Sequence, residues 1–269
     1  MRPVRVLDSG LNSARWNVAT SAALLELHRA GRIPDSVRFH RYPRSVLIGR
    51  HQDLEKCAAD PMDASMDASL ELARRISGGG AVYMSPQILA WDIVINRAAL
   101  ADGLAGASER FGTAVASGLS RLGVSAQYCP PNDVIVNGRK VSGSSGSFEG
   151  ATLMHQGTVL ICFDMAEMAD ALVGKEDMAG RNALRTRVIS LAEALGRMPV
   201  LDDVRDALIG AFSDALDRPL VWGVPGREEL DLAERLLTDE FGTDEFVCGP
   251  RALSANIRGR KPAAMAGVS

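Results

Sequence analysis

Residues 74–83 read RRISGGGAVY, and residues 131–144 read PNDVIVNGRKVSGS. The first stretch sets three consecutive glycines between an arginine pair and a β-forming run. Gly78, Gly79 and Gly80 lack a Cβ, so the backbone there can turn freely and a ligand can lie directly on the main chain. The run is neither GxGxxG after a strand nor GxxxxGK[ST], so neither a dinucleotide fold nor a P-loop applies. It is either a ligand-lining segment or a plain tight loop. In the second stretch, Asn137-Gly138 is a two-residue hairpin signal. Lys140 follows that turn. A strand lysine is commonly solvated, yet its ammonium can also neutralise a phosphate and polarise a carbonyl. Asn132 and Asp133 can meet a ribose or a magnesium ion, or simply form an Asx turn into the strand.

Working outward, WNVATSAALLELHRAG (16–31) has helical apolar spacing and stops at Gly31. SVRFHRY and SVLIG read as strands separated by a turn at Pro43. Asp53 to Pro61 is polar and expected to be a loop. MDASLELARR (66–75) reads as a helix leading into the glycines. AVYM and ILAWDIVI read as two strands joined like a hairpin through Ser85-Pro86-Gln87. LAGASERFGTAVASGLSRLG (104–123) is an amphipathic helix closed by Gly123. TLMHQGTVLICF is a strand region, and Asp164 is placed to cap the helix that follows. From Ser190 onward the pattern is mainly helical. Tight turns between strands, with long helices between groups of them, favour an α+β fold with a mixed, mostly antiparallel sheet flanked by helices.

The totals exclude several classes. The chain has 269 residues, 46% of them hydrophobic and 23% charged, with a net charge of −3. That balance carries no nucleic-acid footprint, and no apolar run is long enough to span a bilayer. The four cysteines (Cys57, Cys129, Cys162, Cys248) form no CxxC pair. A reduced, cytoplasmic protein is the expectation. Residues 1–250 are expected to form one large domain. Residues 251–269, basic and small, are expected to be a disordered tail.

Five segments in order resemble the lipoate–protein ligase A family, within the biotin/lipoate ligase and octanoyltransferase superfamily. They are VLIGRHQD (46–53), ARRISGGGAVY (73–83), NDVIVNGRKVSGS (132–144), HQGTVLI (155–161) and LRTRVISLAEAL (184–195). The resemblance runs from about residue 5 to residue 248. It implies an ATP-dependent ligase with a biotin/lipoate-ligase-like catalytic domain. Lipoate and ATP, with Mg2+, give lipoyl-adenylate, and the lipoyl group then passes to a lysine of a lipoyl-domain acceptor protein. It further implies that Ser77, Gly78, Gly79, Gly80, Ala81 and Val82 line the acyl site, with Arg75 near the acyl or adenylate end. His155, Gly157 and Thr158 of the His-x-Gly-Thr strand join that binding set. Lys140 would be the catalytic residue, contacting the carbonyl and phosphate of the mixed anhydride. Asn132 and Asp133 would sit near the adenosine, with Asp133 toward magnesium.

The chain departs from the family pattern after Tyr83, where MSPQILAWD (84–92) replaces a His-Asp and a glycine turn. The C-terminus also leaves little length for the accessory domain that many such ligases carry. A separate accessory protein is therefore an expected partner. Two rival readings remain: a cysteine-dependent octanoyl- or lipoyl-transferase, and a non-catalytic carrier-binding protein with a degenerate site. An essential cysteine would mark the first. The retained Arg75, glycines and Lys140 oppose the second. Neither Cys129 nor Cys162 lies where the family's transferases place their nucleophile.

Overall fold

The computed structural model, which describes residues 2–54, 70–100 and 103–249, contains two sheets. The large sheet begins with β1 (Val4–Leu11) and β2 (Ser36–Arg41), joined by α1 (Ala14–Arg29). It continues through β6 (Ile88–Asn96), β10 (Thr152–Leu160), β9 (Arg139–Glu149), β8 (Asp133–Val136) and β7 (Ala126–Cys129). Short β11 (Leu220–Trp222) completes the order β11-β1-β2-β6-β10-β9-β8-β7. β1 runs parallel to both of its neighbours, and the other pairs are antiparallel. The small sheet is β4-β3-β5, with β3 (Ser45–Ile48) between β4 (Glu71–Arg74) and β5 (Val82–Met84). The mixed, mostly antiparallel α+β architecture read from the sequence is the one found.

Helices and the small sheet cover the two faces of the large sheet. On one face, α2 (Gly103–Ser120) and α6 (Leu201–Leu216) pack over Phe39, Trp91 and Ile93. Phe111 and Trp91 each meet the Phe212 ring edge-on, at 6.2 and 5.3 Å, an arrangement worth more than area burial alone. On the other face lie α1, the small sheet and α3 (Met165–Leu172), sealing a second apolar cluster with Ile76, Tyr83, Met84, Met154 and Leu160. α4 (Met178–Arg187) and α5 (Leu191–Leu195) follow α3, and α7 (Arg227–Leu236) packs on α1. The N-caps are local: Asp164 accepts from the Ala166 and Glu167 amides, and Ser190 accepts from Glu193.

Three local readings differ from the structure. Glu71–Arg74 is a strand, not the end of a helix, because it pairs in parallel with β3. Its Glu71 carboxylate instead accepts from the Ala14 amide at the start of α1. β5 and β6 do not form a hairpin: β5 pairs with β3, while β6 lies between β2 and β10 in the large sheet. The parallel strand β11 and helix α4 were not foreseen. The polar loop expected over Asp53 to Pro61 lies largely outside the described residues, as do the start of the expected 66–75 helix and the expected tail at 251–269.

Candidate active site

The glycine run forms the bend between β4 and β5. Gly79 has φ +96°, a conformation that strongly favours glycine. Gly78 and Gly80 do not need glycine for backbone reasons, and a Cβ on either would meet open space. Arg75 bonds the concave side of this bend: its guanidinium donates to the carbonyls of Leu47 (2.6 Å), Gly78 (3.0 Å) and Gly80 (2.9 Å). Burial pulls its pKa down to about 10, partly offset by Tyr42. The loop also touches β3: a Cβ on Gly49 would overlap the Gly79 carbonyl oxygen. The Arg50 amide donates to the Ser77 carbonyl at 2.9 Å. Ser77 is buried, and its hydroxyl has no partner among the described residues. Ala81 and Val82 pack on the apolar cluster beneath.

The lysine segment is built by the β8–β9 hairpin. Asn137 and Gly138 both have positive φ, 51° and 74°, as the two-residue turn requires. A register shift between Val134 and Ile135 brings Ile135 opposite Lys140 while Asp133 faces Gly143. This irregularity turns Lys140 toward Asp133, and its ammonium lies 2.5 Å from the Asp133 carboxylate. Gly143 leaves the space: a Cβ there would meet Lys140 Nζ at 2.5 Å and Asp133 Oδ1 at 3.4 Å. Asn132 Nδ2 donates to the Ser144 carbonyl at 2.6 Å, tying the hairpin end down. The Lys140 carbonyl accepts from the Ile189 amide at 2.9 Å, which anchors it to the start of α5.

Strand alternation sorts the His-x-Gly-Thr residues. Thr158 stands opposite Gly143 and Ala90, on the side of the large sheet that carries Lys140 and the glycine bend. His155 and Gly157 point the other way. The His155 ring is fully buried between Trp91 (5.7 Å) and Phe111 (5.4 Å), and burial lowers its pKa to about 4. A Cβ on Gly157 would overlap the Trp91 ring. The structure therefore groups Arg75 to Val82, Asp133, Lys140 and Thr158 on one side of the sheet, with Asn132 in the turn that leads into β8, and leaves His155 and Gly157 in the core behind it. Gly49 and Gly143, absent from the expected set, are the residues whose missing side chains shape it. Both stand inside quoted motifs, Gly49 directly after β3 and Gly143 within β9, where glycine is otherwise costly.

Below α1, a buried polar group braces this side. Arg38 pairs with Asp92 at 3.1 Å, and Asp92 also accepts from Ser21 Oγ (2.7 Å) and Gln156 Nε2 (2.7 Å). A cavity of about 710 Å³ between α2 and α6, lined by Glu109, Thr113, Ser117 and Asp214, lies on the opposite face and takes no part in this grouping. Among the described residues no group of three acidic, histidine or cysteine side chains could hold a metal. Of the described residues in this grouping, Asp133 offers the carboxylate, so a magnesium ion there would take its other ligands from phosphate oxygens and water. Cys129, Cys162 and Cys248 are free and half-buried. No helix of the described residues is long and apolar enough to cross a membrane.

Residues 13–213 match the lipoyl protein ligase A/B catalytic domain family. The chain belongs to that family. Among its relatives, the octanoyltransferase LipM of Symbiobacterium thermophilum is 25% identical over 268 residues, covering 90% of this chain and 97% of that protein. The lipoate-protein ligase A subunit 1 of Thermoplasma acidophilum is 28% identical over 252 residues, covering 88% and 93%. The structure of a bi-partite lipoate protein ligase with its E2 lipoyl domain from T. acidophilum superposes with a TM-score of 0.81 at 26% identity, covering 93% of this chain and 97% of that one. A lipoate-protein ligase A bound with ATP superposes with a TM-score of 0.79 at 24% identity, covering 92% and 99%. This lipoyl ligase and transferase family member is thus similar along most of its length both to transferases and to ligase subunits.

Proposed function

We propose that this chain is the catalytic part of an ATP-dependent lipoate–protein ligase. The observation that carries the reading is the Lys140–Asp133 pair, held at 2.5 Å above Gly143 on the same side of the sheet as the glycine bend. A fixed cation there supplies what acyl activation needs. The lipoate carboxylate oxygen attacks the α-phosphorus of ATP and pyrophosphate leaves. The acceptor lysine amine then attacks the acyl carbonyl, AMP leaves, and the amine proton passes to solvent. Lys140 stabilises the negative charge that develops in both steps. Arg75 and the Ser77–Val82 bend hold the acyl end, and Thr158 lines the floor between them. Asp133 orients Lys140 and, with Asn132, faces the nucleotide and its magnesium. His155 and Gly157 support this site from behind the sheet.

The acceptor in this reading is a lipoyl domain, and a separate accessory protein completes the adenylating site. The likeness to the T. acidophilum ligase subunit and bi-partite ligase supports both parts. The reaction belongs to the cytoplasm, where ATP and the acceptor are available. The test supplies lipoate, ATP and magnesium, or preformed lipoyl-adenylate, to the chain with an apo lipoyl domain and follows acceptor mass. Transfer from the adenylate, with ATP-driven transfer slower or dependent on a second protein, is the expected result.

One observation keeps a second reading in view. Cys129 stands directly opposite Asp133 in the β7–β8 pair, so its thiol shares the face of Lys140. An acyl thioester on Cys129 would make the chain a transferase, as the LipM relatives are named. Trapping that thioester by mass spectrometry, with activity lost in Cys129→Ser, would decide for it.

A further inference from the structure

The C-terminal segment is built into the loops that carry the candidate acyl site, and Arg74 makes the junction. Arg74 is the last residue of β4 and is 8% exposed. Its Nε donates to the carbonyls of Phe246 (3.1 Å) and Val247 (3.0 Å). The same guanidinium donates through NH1 to the carbonyls of Gly49 (3.0 Å) and Gln52 (2.7 Å). One planar cation thus ties two segments that are distant in sequence, using the fork geometry a lysine lacks. Apolar contact runs alongside. Val247 is fully buried in a cluster with Ile48 and Leu54, and Ala81 of the glycine bend packs on the same cluster. The segment is held at its other end as well, because Arg15 donates to the Gly242 carbonyl at 2.5 Å and to Asp244 at 2.8 Å. Phe241 and Phe246 meet edge-on at 4.7 Å.

We propose that Arg74 is a positioning residue: it makes the shape of the 49–52 loop and the glycine bend depend on docking of residues 242–248. Gly49 is where this dependence reaches the site. Its carbonyl is held by Arg74, and its α-carbon lies against the Gly79 carbonyl. The next residue, Arg50, donates its amide to Ser77. When the Phe246 and Val247 carbonyls leave Arg74, the Gly49–Gly79 contact and the Arg50–Ser77 bond lose their support together. Arg75, one residue on, faces the other way and bonds the bend from inside. The two arginines therefore divide the work, Arg75 shaping the bend and Arg74 locking it to the C-terminal segment. The acyl part of this inference rests on the ligase reading; the coupling does not.

The experiment uses Arg74→Gln, Arg74→Lys and, as a milder change in a different segment, Val247→Ala, all in the full chain. Circular dichroism confirms folding. Hydrogen exchange is read at the Arg50 amide, and lipoate affinity by calorimetry. Exchange at Arg50 at least tenfold faster in Arg74→Gln and Val247→Ala, with lipoate bound at least tenfold more weakly and Arg74→Lys failing to rescue either, is the expected result. Unchanged Arg50 exchange in folded Val247→Ala and Arg74→Gln would overturn the coupling. Faster exchange with lipoate affinity within twofold of wild type would overturn the positioning role. If the wild-type chain binds no lipoate, the ligase reading fails on its own, and Arg50 exchange still decides the coupling.

Discussion

The α-carbon of Gly49 lies against the carbonyl of Gly79, so the end of β3 and the centre of the glycine bend touch with no side chain between them. Gly49→Ala must move the bend, since the obstructing atom is backbone and cannot swing aside. The expected outcome is a folded protein, destabilised by about 1–3 kcal/mol as overpacking usually is, with acyl binding lost. Calorimetry with lipoate on the variant checks this. Affinity near that of wild type would mean that the bend tolerates displacement and lies outside the site.

The three glycines of the bend should separate by substitution. Gly79→Ala carries strain, because φ +96° is closed to most side chains. Gly78→Ala and Gly80→Ala meet open space and should leave stability within about 0.5 kcal/mol of wild type. Any loss of acyl affinity in those two variants therefore reports ligand proximity rather than misfolding. Thermal melts and lipoate titrations on the same samples distinguish the cases. Normal binding by both would make the bend a plain turn.

Gly143→Ala should mimic the loss of Lys140. The added methyl would stand 2.5 Å from Lys140 Nζ, and the flexible amine would swing away from Asp133. Acyl transfer is expected to fall by roughly 10²-fold, in the range seen when one charge-stabilising group is lost, with little change in melting temperature. Transfer within a few-fold of wild type would show that the Lys140–Asp133 geometry is dispensable.

Acid should weaken the fold before it protonates the carboxylates. His40 and His155 are buried neutral, with pKa values lowered to about 3 and about 4, in both cases chiefly by burial. The unfolded chain takes up protons at both near pH 6.5, while the folded chain does not. Stability is therefore full above about pH 6.5 and falls toward pH 4, by about 1.4 kcal/mol per pH unit for each group. Asp35, held at about 2 through bonds from His28, Arg218 and the Asn96 amide despite burial, contributes stability lost only at more acid pH. Urea midpoints at pH 7.5 and 5 should differ accordingly. His155→Phe, which keeps the stack on Trp91 and Phe111, should reduce the difference. Equal midpoints in the wild type would show that both rings are protonated without cost.

What could be read from the sequence was local. The Asn137-Gly138 turn, the Asp164 cap and the Gly78–Gly80 bend each declare themselves within a few residues, since their chemistry is settled by neighbours. Pairing over long distances was hidden. ELAR at 71–74 has helical spacing, and only its parallel pairing with β3 makes it a strand. β11 is short and pairs with the far N-terminus. β5 and β6 looked like a hairpin because nothing between them announces that they enter different sheets. The sidedness of β10 is legible in the sequence. Residues 155 and 158 differ by an odd number in one strand, so they cannot share a face. Gly49 and Gly143 carry no signal of their own beyond being glycines, one just past a strand and one within a strand.

The central claim, that Lys140 stabilises charge in an adenylate-driven transfer without a side-chain nucleophile, is tested most directly by single-turnover transfer from preformed lipoyl-adenylate to an apo lipoyl domain. Wild type, Lys140→Ala and Cys129→Ser are compared under the same conditions. Transfer by wild type and Cys129→Ser at equal rates, with Lys140→Ala slower by roughly 10²–10³-fold, is the outcome expected. Lys140→Ala within a few-fold of wild type, or Cys129→Ser inactive with an acyl thioester trapped on Cys129 of the wild type, would contradict it.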